Sequence, residues 1–266
     1  MTQNGRTALL VANGPSTREL VEYGFDRLPT ELVTVGMNLA FRYFERIDWF
    51  PTLYGLCDAK VVENRLEELR GLVTRHPQTT FHVASEANQL CLHPNLFNRR
   101  RLALAKAHPI FKRLFRLERF RRIVTSEVPE APNVLPIKHG STGSQMARIL
   151  IDNGIRRIVL IGADADYVEH IAEASYHPSD LHLPVAFRRL VIMTVVESNP
   201  NYFFDDYQRV GDVYSTPRAS TSHLSGWRQV AALAEQAGVE IINCSPRSKI
   251  PDFDRRPLRE CLDELQ

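Results

Sequence analysis

The sequence of 266 residues predicts an α/β protein, a mostly parallel sheet with helices on both faces. Three observations lead there. Short apolar runs alternate with helical patterns along much of the chain. One of these runs, in RRIVLIGAD (156–164), is the strongest strand signal present. And two of them break at once into small polar turns that open a helix, as in LLVANGPSTREL (9–20) and KHGSTGSQMA (138–147).

The elements follow in order. TALLVAN (7–13) reads as a strand and STRELVEYGF (16–25) as a helix. ELVTVGMN (31–38) is the next strand; TLYGLCD (52–58) follows and leads into the charged helix AKVVENRLEELRGLV (59–73). TTFHVAS (79–85) is a further strand, and NVLPIKHGSTG (133–143) leads into the helix SQMARILIDNG (144–154). After RRIVLIGAD come the helix HLSGWRQVAALAEQAG (223–238), closed by Gly238, and the last strand, VEIINCSP (239–246). The whole chain, 1–266, is expected as one domain, with insertions at about 91–130 and 168–222 that fall outside the alternation. Long insertions in compact domains are often lids or binding loops.

The composition narrows the class. Lys and Arg number 33 against 31 Asp and Glu, a net charge of +2 that gives no argument for nucleic acid. Cys57, Cys91, Cys244 and Cys261 are scattered without a C-x-x-C pair, which fits reduced thiols and carries no zinc signature. The opening residues lack the basic start and apolar core of a signal peptide, and no apolar run approaches the roughly 20 residues that span a bilayer. A cytoplasmic protein of bacterial style is expected.

In open parallel sheets, ligands sit beyond the carboxyl ends of the strands. The residues expected there are polar: Asn13-Gly14-Pro15-Ser16, Asn38, Asp58, Gly140-Ser141-Thr142-Gly143 and Asp164. Gly14 lets backbone and ligand approach closely. Ser16-x-x-Glu19 is a capping box, so Ser16 is expected to cap the helix and leave the turn's amides for an anion. By itself Asn-Gly-Pro-Ser is equally an ordinary turn. A second such loop in the same sheet suggests a nucleotide held between the two. Neither loop carries G-x-G-x-x-G or a phosphate-gripping Lys.

Together, NGPS after the first strand, the Asn after the second, the Ser-Thr-Gly loop before a helix, and NGIRRIVLIGAD resemble bacterial single-domain sialyltransferases that use CMP-sugars. They also resemble a wider group with MptE-like pterin pyrophosphokinases and the central domain of motility-accessory glycosylation factors. The resemblance spans about 7–60 and 133–250 and implies a Rossmann-like sheet with a helical or loop lid. Position by position, it implies donor contacts at Asn13, Gly14, Ser16, Asn38, Ser141, Thr142 and Gly143. Gly162 and Asp164 fall on the family's Gly-Ile-Asp strand end. His223 falls near its catalytic His. Two departures stand out: Asp166-Tyr167 replaces the family's Phe-Tyr pair, and the loop before His223 is longer.

The implied activity is transfer of a sialic acid, another nonulosonic acid or Kdo from a CMP-sugar to a glycan hydroxyl in surface polysaccharide or lipopolysaccharide synthesis. A CMP leaving group has one phosphate, so no cofactor and no metal is expected. His223 suits proton removal from the acceptor. Asp164 and Tyr207 complete the candidate catalytic set, and Asp58 joins the donor-binding set. A retaining enzyme would instead use a carboxylate nucleophile, with Asp164, Asp166 and Asp206 as candidates. NPNYFFDDYQRVGDVYSTP (199–217) is either a sugar-recognition loop or one that packs its own aromatics. The stretch 98–123 holds ten Lys and Arg with Glu118 as its one acid, interleaved with Leu, Phe and Ile. It is expected as a lid with a secondary membrane or acceptor role, which would place the enzyme peripherally at an inner membrane. Two other readings remain at this point: an ATP-using pyrophosphokinase, and a non-catalytic nucleotide- or sugar-binding module.

Overall fold

The computed structural model describes residues 6–58, 61–62, 65–84, 134–137, 141–185, 188–214 and 220–266. The expected insertion at 91–130, including the basic stretch 98–123, lies outside them, as does Gly140.

Among the described residues eight strands form one sheet: β1 (Thr7–Val11), β2 (Val33–Met37), β3 (Leu53–Leu56), β4 (Thr80–Ala84), β5 (Val134–Ile137), β6 (Arg157–Ile161), β10 (Glu240–Asn243) and β11 (Asp254–Arg255). Their order is β11-β10-β6-β1-β2-β3-β4-β5, and every pairing is parallel. The chain therefore steps outward from β1 to β5, returns to the other side of β1 as β6, and continues to β10 and β11. That reversal is a topological switch point, which opens a crevice between the ends of β1 and β6.

Burial on both faces explains the strand sequences. Ala8, Leu9, Leu10 and Val11 are all fully buried, because a central parallel strand has helices on either side. Side chains alternate between the faces. Leu9 and Val11 join a core formed with α1 (Arg18–Tyr23), α2 (Phe41–Phe44), α3 (Leu66–Arg75) and α6 (Leu258–Asp263). Ala8 and Leu10 join the opposite core, with Met146 and Leu150 of α4 (Thr142–Asp152) and Trp227 and Val230 of α5 (Ser220–Ala237). The α/β expectation holds, with Rossmann-like layering.

Within 168–222 the chain forms a second, antiparallel sheet, β7 (Ala174–Tyr176), β8 (Leu190–Ile192) and β9 (Val213–Tyr214), around Ile171, Leu190, Ile192 and Val196. Two further elements lie after the expected last strand, namely β11 and α6. Among the described residues no helix is long and apolar enough to cross a membrane.

Candidate functional site

The end of β1 is bound to the end of β6. Ala12 N donates to Ile161 O at 2.8 Å and Gly14 N to Gly162 O at 2.8 Å. A Cβ on Gly14 would overlap Asp164 Oδ2, so glycine is required by that carboxylate. Gly162, at φ +76°, crosses under Thr17 in the left-handed region.

Asp164 is buried and receives both donors of Ser16: the backbone N–H at 3.0 Å on Oδ2 and the hydroxyl on Oδ1. This corrects two expectations. Ser16 does not cap α1, which has no side-chain cap. Nor does the turn offer its amides to an anion. Gly14 N goes to Gly162 O, Ser16 N to Asp164, and Thr17 N to Gly14 O, while Pro15 has none to give. What this turn presents to a ligand is the Asn13 side chain and a close approach of backbone.

The second strand end carries Asn38 at φ 53°, a left-handed position that Asn tolerates. Its Oδ1 accepts the Thr142 hydroxyl at 3.1 Å, tying the end of β2 to the start of α4. Ser141 caps α4, accepting from Ser144 N at 3.4 Å. An α-helix leaves its first amides without partners inside the helix, and here the first residues are Thr142 and Gly143. Gly143 is glycine because a Cβ would come within 2.9 Å of Trp227 Cζ2 on α5. Gly143 is not among the glycines at positive φ, so close helix packing and not backbone conformation accounts for it.

These ends enclose one cleft at the switch point. It is lined by Asn13, Gly14, Asn38, Ser141, Thr142, Gly143, Asp164, Asp166, Tyr167, His223 and Trp227 among others, with about 600 Å³ of empty space counting the part open to solvent. His223 stands in the first turn of α5, its ring 5.3 Å from that of Tyr167. Burial lowers the His223 pKa, and a helix N-terminus also disfavours the imidazolium, so the ring is a neutral base at pH 7. Burial and the nearby Asp164 raise the Tyr167 phenol, which keeps its proton although the residue as a whole is 38% exposed.

Three of the expected site residues do not line the cleft. Ser16 lies behind Asp164. Asp58, after β3, accepts from Val61 N at 3.5 Å. Tyr207 is buried, with Oη 2.9 Å from Asn13 Nδ2 and accepting from Leu39 N at 3.3 Å. The aromatic-acidic stretch is a self-packed loop. Phe203, Phe204 and Tyr207 are buried, Tyr202 stacks on Tyr207 at 3.7 Å, and Phe203 N donates to Asn13 O at 3.1 Å. Its acids face away from the cleft: Asp205 accepts from Asn199 N, and Asp206 pairs with Arg46 at 2.9 Å. Asp166 is 3.9 Å from Lys249 Nζ. Among the described residues no three His, Cys, Asp or Glu side chains gather as a metal cage.

Two site residues were not singled out in the sequence. Asn201 both accepts from Val168 N at 2.7 Å and donates to Val168 O at 2.9 Å, fixing the segment next to Tyr167. Trp227 closes the cleft wall against Gly143. The Asn-Pro-Asn run at 199–201 was the available signal for the first; for Trp227, an aromatic on a helix following His223, there was none beyond position.

No family model and no curated protein matches the chain. Among solved structures, it is similar to the Campylobacter jejuni sialyltransferase CstII bound to the substrate analogue CMP-3FNeuAc, at 13% identity and TM-score 0.43, covering 94% of this chain and 85% of that one. A C. jejuni alpha-2,3-sialyltransferase in apo form matches at 11% identity and TM-score 0.41, covering 96% and 80%. A MAf glycosyltransferase from Magnetospirillum magneticum AMB-1 matches at 15% identity and TM-score 0.43, covering 97% of this chain but 34% of that one.

Proposed function

We propose that this protein is a glycosyltransferase that binds a CMP-sugar in the switch-point cleft and passes a sialic acid, another nonulosonic acid or Kdo to a glycan hydroxyl. The observation that carries the reading is the convergence on one cleft of the Asn13 side chain from the first strand end, Asn38 from the second, and the Ser141–Gly143 start of α4, beside His223 and Tyr167. His223 accepts the acceptor's hydroxyl proton as the new glycosidic bond forms. The bond from the anomeric carbon to the phosphate oxygen breaks, and CMP leaves. Tyr167 and the first amides of α4 supply donors for the leaving phosphate. Asp164 holds the Asn13–Ser16 turn in place. A pyrophosphokinase would require acids around its metal and phosphates; of the four candidates Asp205 and Asp206 are engaged elsewhere and Asp164 is taken up by Ser16, which leaves Asp166 in the cleft, 3.9 Å from Lys249 Nζ.

Thermal melting in EDTA tests the reading. CMP or CTP at 100 times its Kd stabilises by about 2.7 kcal/mol, which raises Tm by roughly 5–10 °C, with UDP and ATP giving much less. Metal-dependent stabilisation by ATP with no response to CMP would overturn the glycosyltransferase and favour the kinase.

A further inference from the structure

The least satisfied polar group of the cleft wall belongs to Asn13. With Nδ2 turned toward Tyr207 Oη, its Oδ1 is buried and has no hydrogen-bond partner. The tyrosine is then no better served. Leu39 N is a fixed backbone donor and gives its hydrogen to Tyr207 Oη. With Asn13 Nδ2 as a second donor to that oxygen, the phenol's own proton has nowhere to go.

A hydroxyl carries one proton to give and lone pairs that accept, whereas an amide has one end of each kind. Those two ends are alike in shape, so the hydrogen-bond inventory decides which faces which. Turned the other way, the amide meets every demand at Tyr207. The phenol donates to Asn13 Oδ1 and accepts from Leu39 N. The atom left over is then Nδ2, a pure donor on a residue that lines the cleft.

The tyrosine is itself held from behind. Arg42, 3% exposed, donates through Nη1 to Tyr207 O at 2.8 Å and to Asp212 Oδ2 at 2.9 Å. Its Nε and Nη2 bond both oxygens of Glu68, at 3.1 and 2.9 Å. Arg65 pairs with Asp212 as well, so two cations and two carboxylates balance around the loop. Phe203 N fixes the Asn13 backbone from the same loop. Arg42 and Asp212 at its centre are buried, and breaking a paired network around a buried charge is costly.

We propose that Tyr207, clamped by Arg42, is a positioning residue that turns the Asn13 amide so that its NH2 group is presented to an acceptor oxygen of the bound nucleotide. This rests on the reading of the cleft as a nucleotide site. It assigns Tyr207 a role through Asn13, apart from the reacting atoms.

The test uses the full chain labelled with 13C and 15N at asparagine, with Asn13 assigned by mutation. In the free protein, Tyr207→Phe removes the bond accepted by the Asn13 carbonyl. Its side-chain carbonyl carbon moves upfield while its NH2 protons barely shift. Movement of the NH2 protons with a static carbonyl would overturn the orientation. CMP is then titrated. In wild type the Asn13 NH2 protons move downfield. Asn13→Asp, which keeps a partner for Tyr207 but has no donor, loses CMP affinity by at least tenfold. An Asn13→Asp protein that binds CMP as wild type does would overturn the presentation of NH2 to the ligand. Failure of wild type to bind CMP would instead remove the functional reading, and the signals of the free protein would still decide the orientation.

Discussion

Replacing Asp164 separates an anchor from a nucleophile. Its carboxylate is buried and accepts two bonds from Ser16. Hydrogen bonds to a charged acceptor contribute about 1.5–3 kcal/mol each, so Asp164→Ala is expected to cost about 3–6 kcal/mol. It also leaves the Ser16 hydroxyl and amide buried without partners. Asp164→Asn has the same shape. Its Oδ1 can take the Ser16 amide and its Nδ2 can donate to the Ser16 hydroxyl, so the two bonds survive as neutral ones worth about 1 kcal/mol each. For a chain of this size, 1 kcal/mol shifts Tm by about 2–4 °C. The alanine variant should therefore melt on the order of 10 °C lower, and the asparagine variant a few degrees lower. Calorimetric melting and CMP titration measure both. If Asp164 is an anchor, the Asn variant binds CMP and turns over near wild type. An Asp164→Ala protein that melts like wild type would refute the structural argument. An Asn variant that folds and binds but has lost turnover by roughly 10²–10⁴ would move the chemistry to the carboxylate and favour a retaining mechanism.

Two further outcomes follow from the site. Burial lowers the His223 pKa, so its basic form persists below the ordinary value near 6.5; turnover should rise with pH through a limb lying below that value. His223→Ala should keep CMP binding, lose the limb and fall by about 10²–10⁴ in rate, and a wild-type limb above neutrality would contradict the assignment. Gly143→Val should push Trp227, 2.9 Å from the new Cβ, and cost about 1–3 kcal/mol in melting as well as CMP affinity, so a variant of wild-type stability would show that α4 and α5 have room to part.

The sheet was legible because its strands are buried on both faces and read as unbroken apolar runs, as TALLV and RIVLI do. The small strands β7, β8 and β9 were not. They are two or three residues long and partly buried, too short for any periodicity to register. The strand-end positions were legible from Gly14, Asn38 and Ser141 as breaks in pattern. Their local chemistry was not. Ser16 reads as a helix cap until Asp164, 148 residues away, is seen to take both its donors. Tyr207 likewise reads as a site tyrosine, and only the fold shows it behind Asn13. In both cases the deciding partner is remote in sequence, and spacing alone carries no record of it.

The position of β1 also bears on synthesis. One edge of this strand pairs with nearby β2, but the other pairs over five residues with β6, whose last residue, Ile161, is 150 positions after Val11. At about 5–20 residues per second, a ribosome needs roughly 8–30 s to add that much chain. During that interval the nascent protein carries an unpaired, largely apolar strand edge at what will become its centre. Such an edge invites pairing with other chains. The growing polypeptide is therefore a natural client for a chaperone until β6 emerges, and truncated products that stop before residue 157 are expected to aggregate.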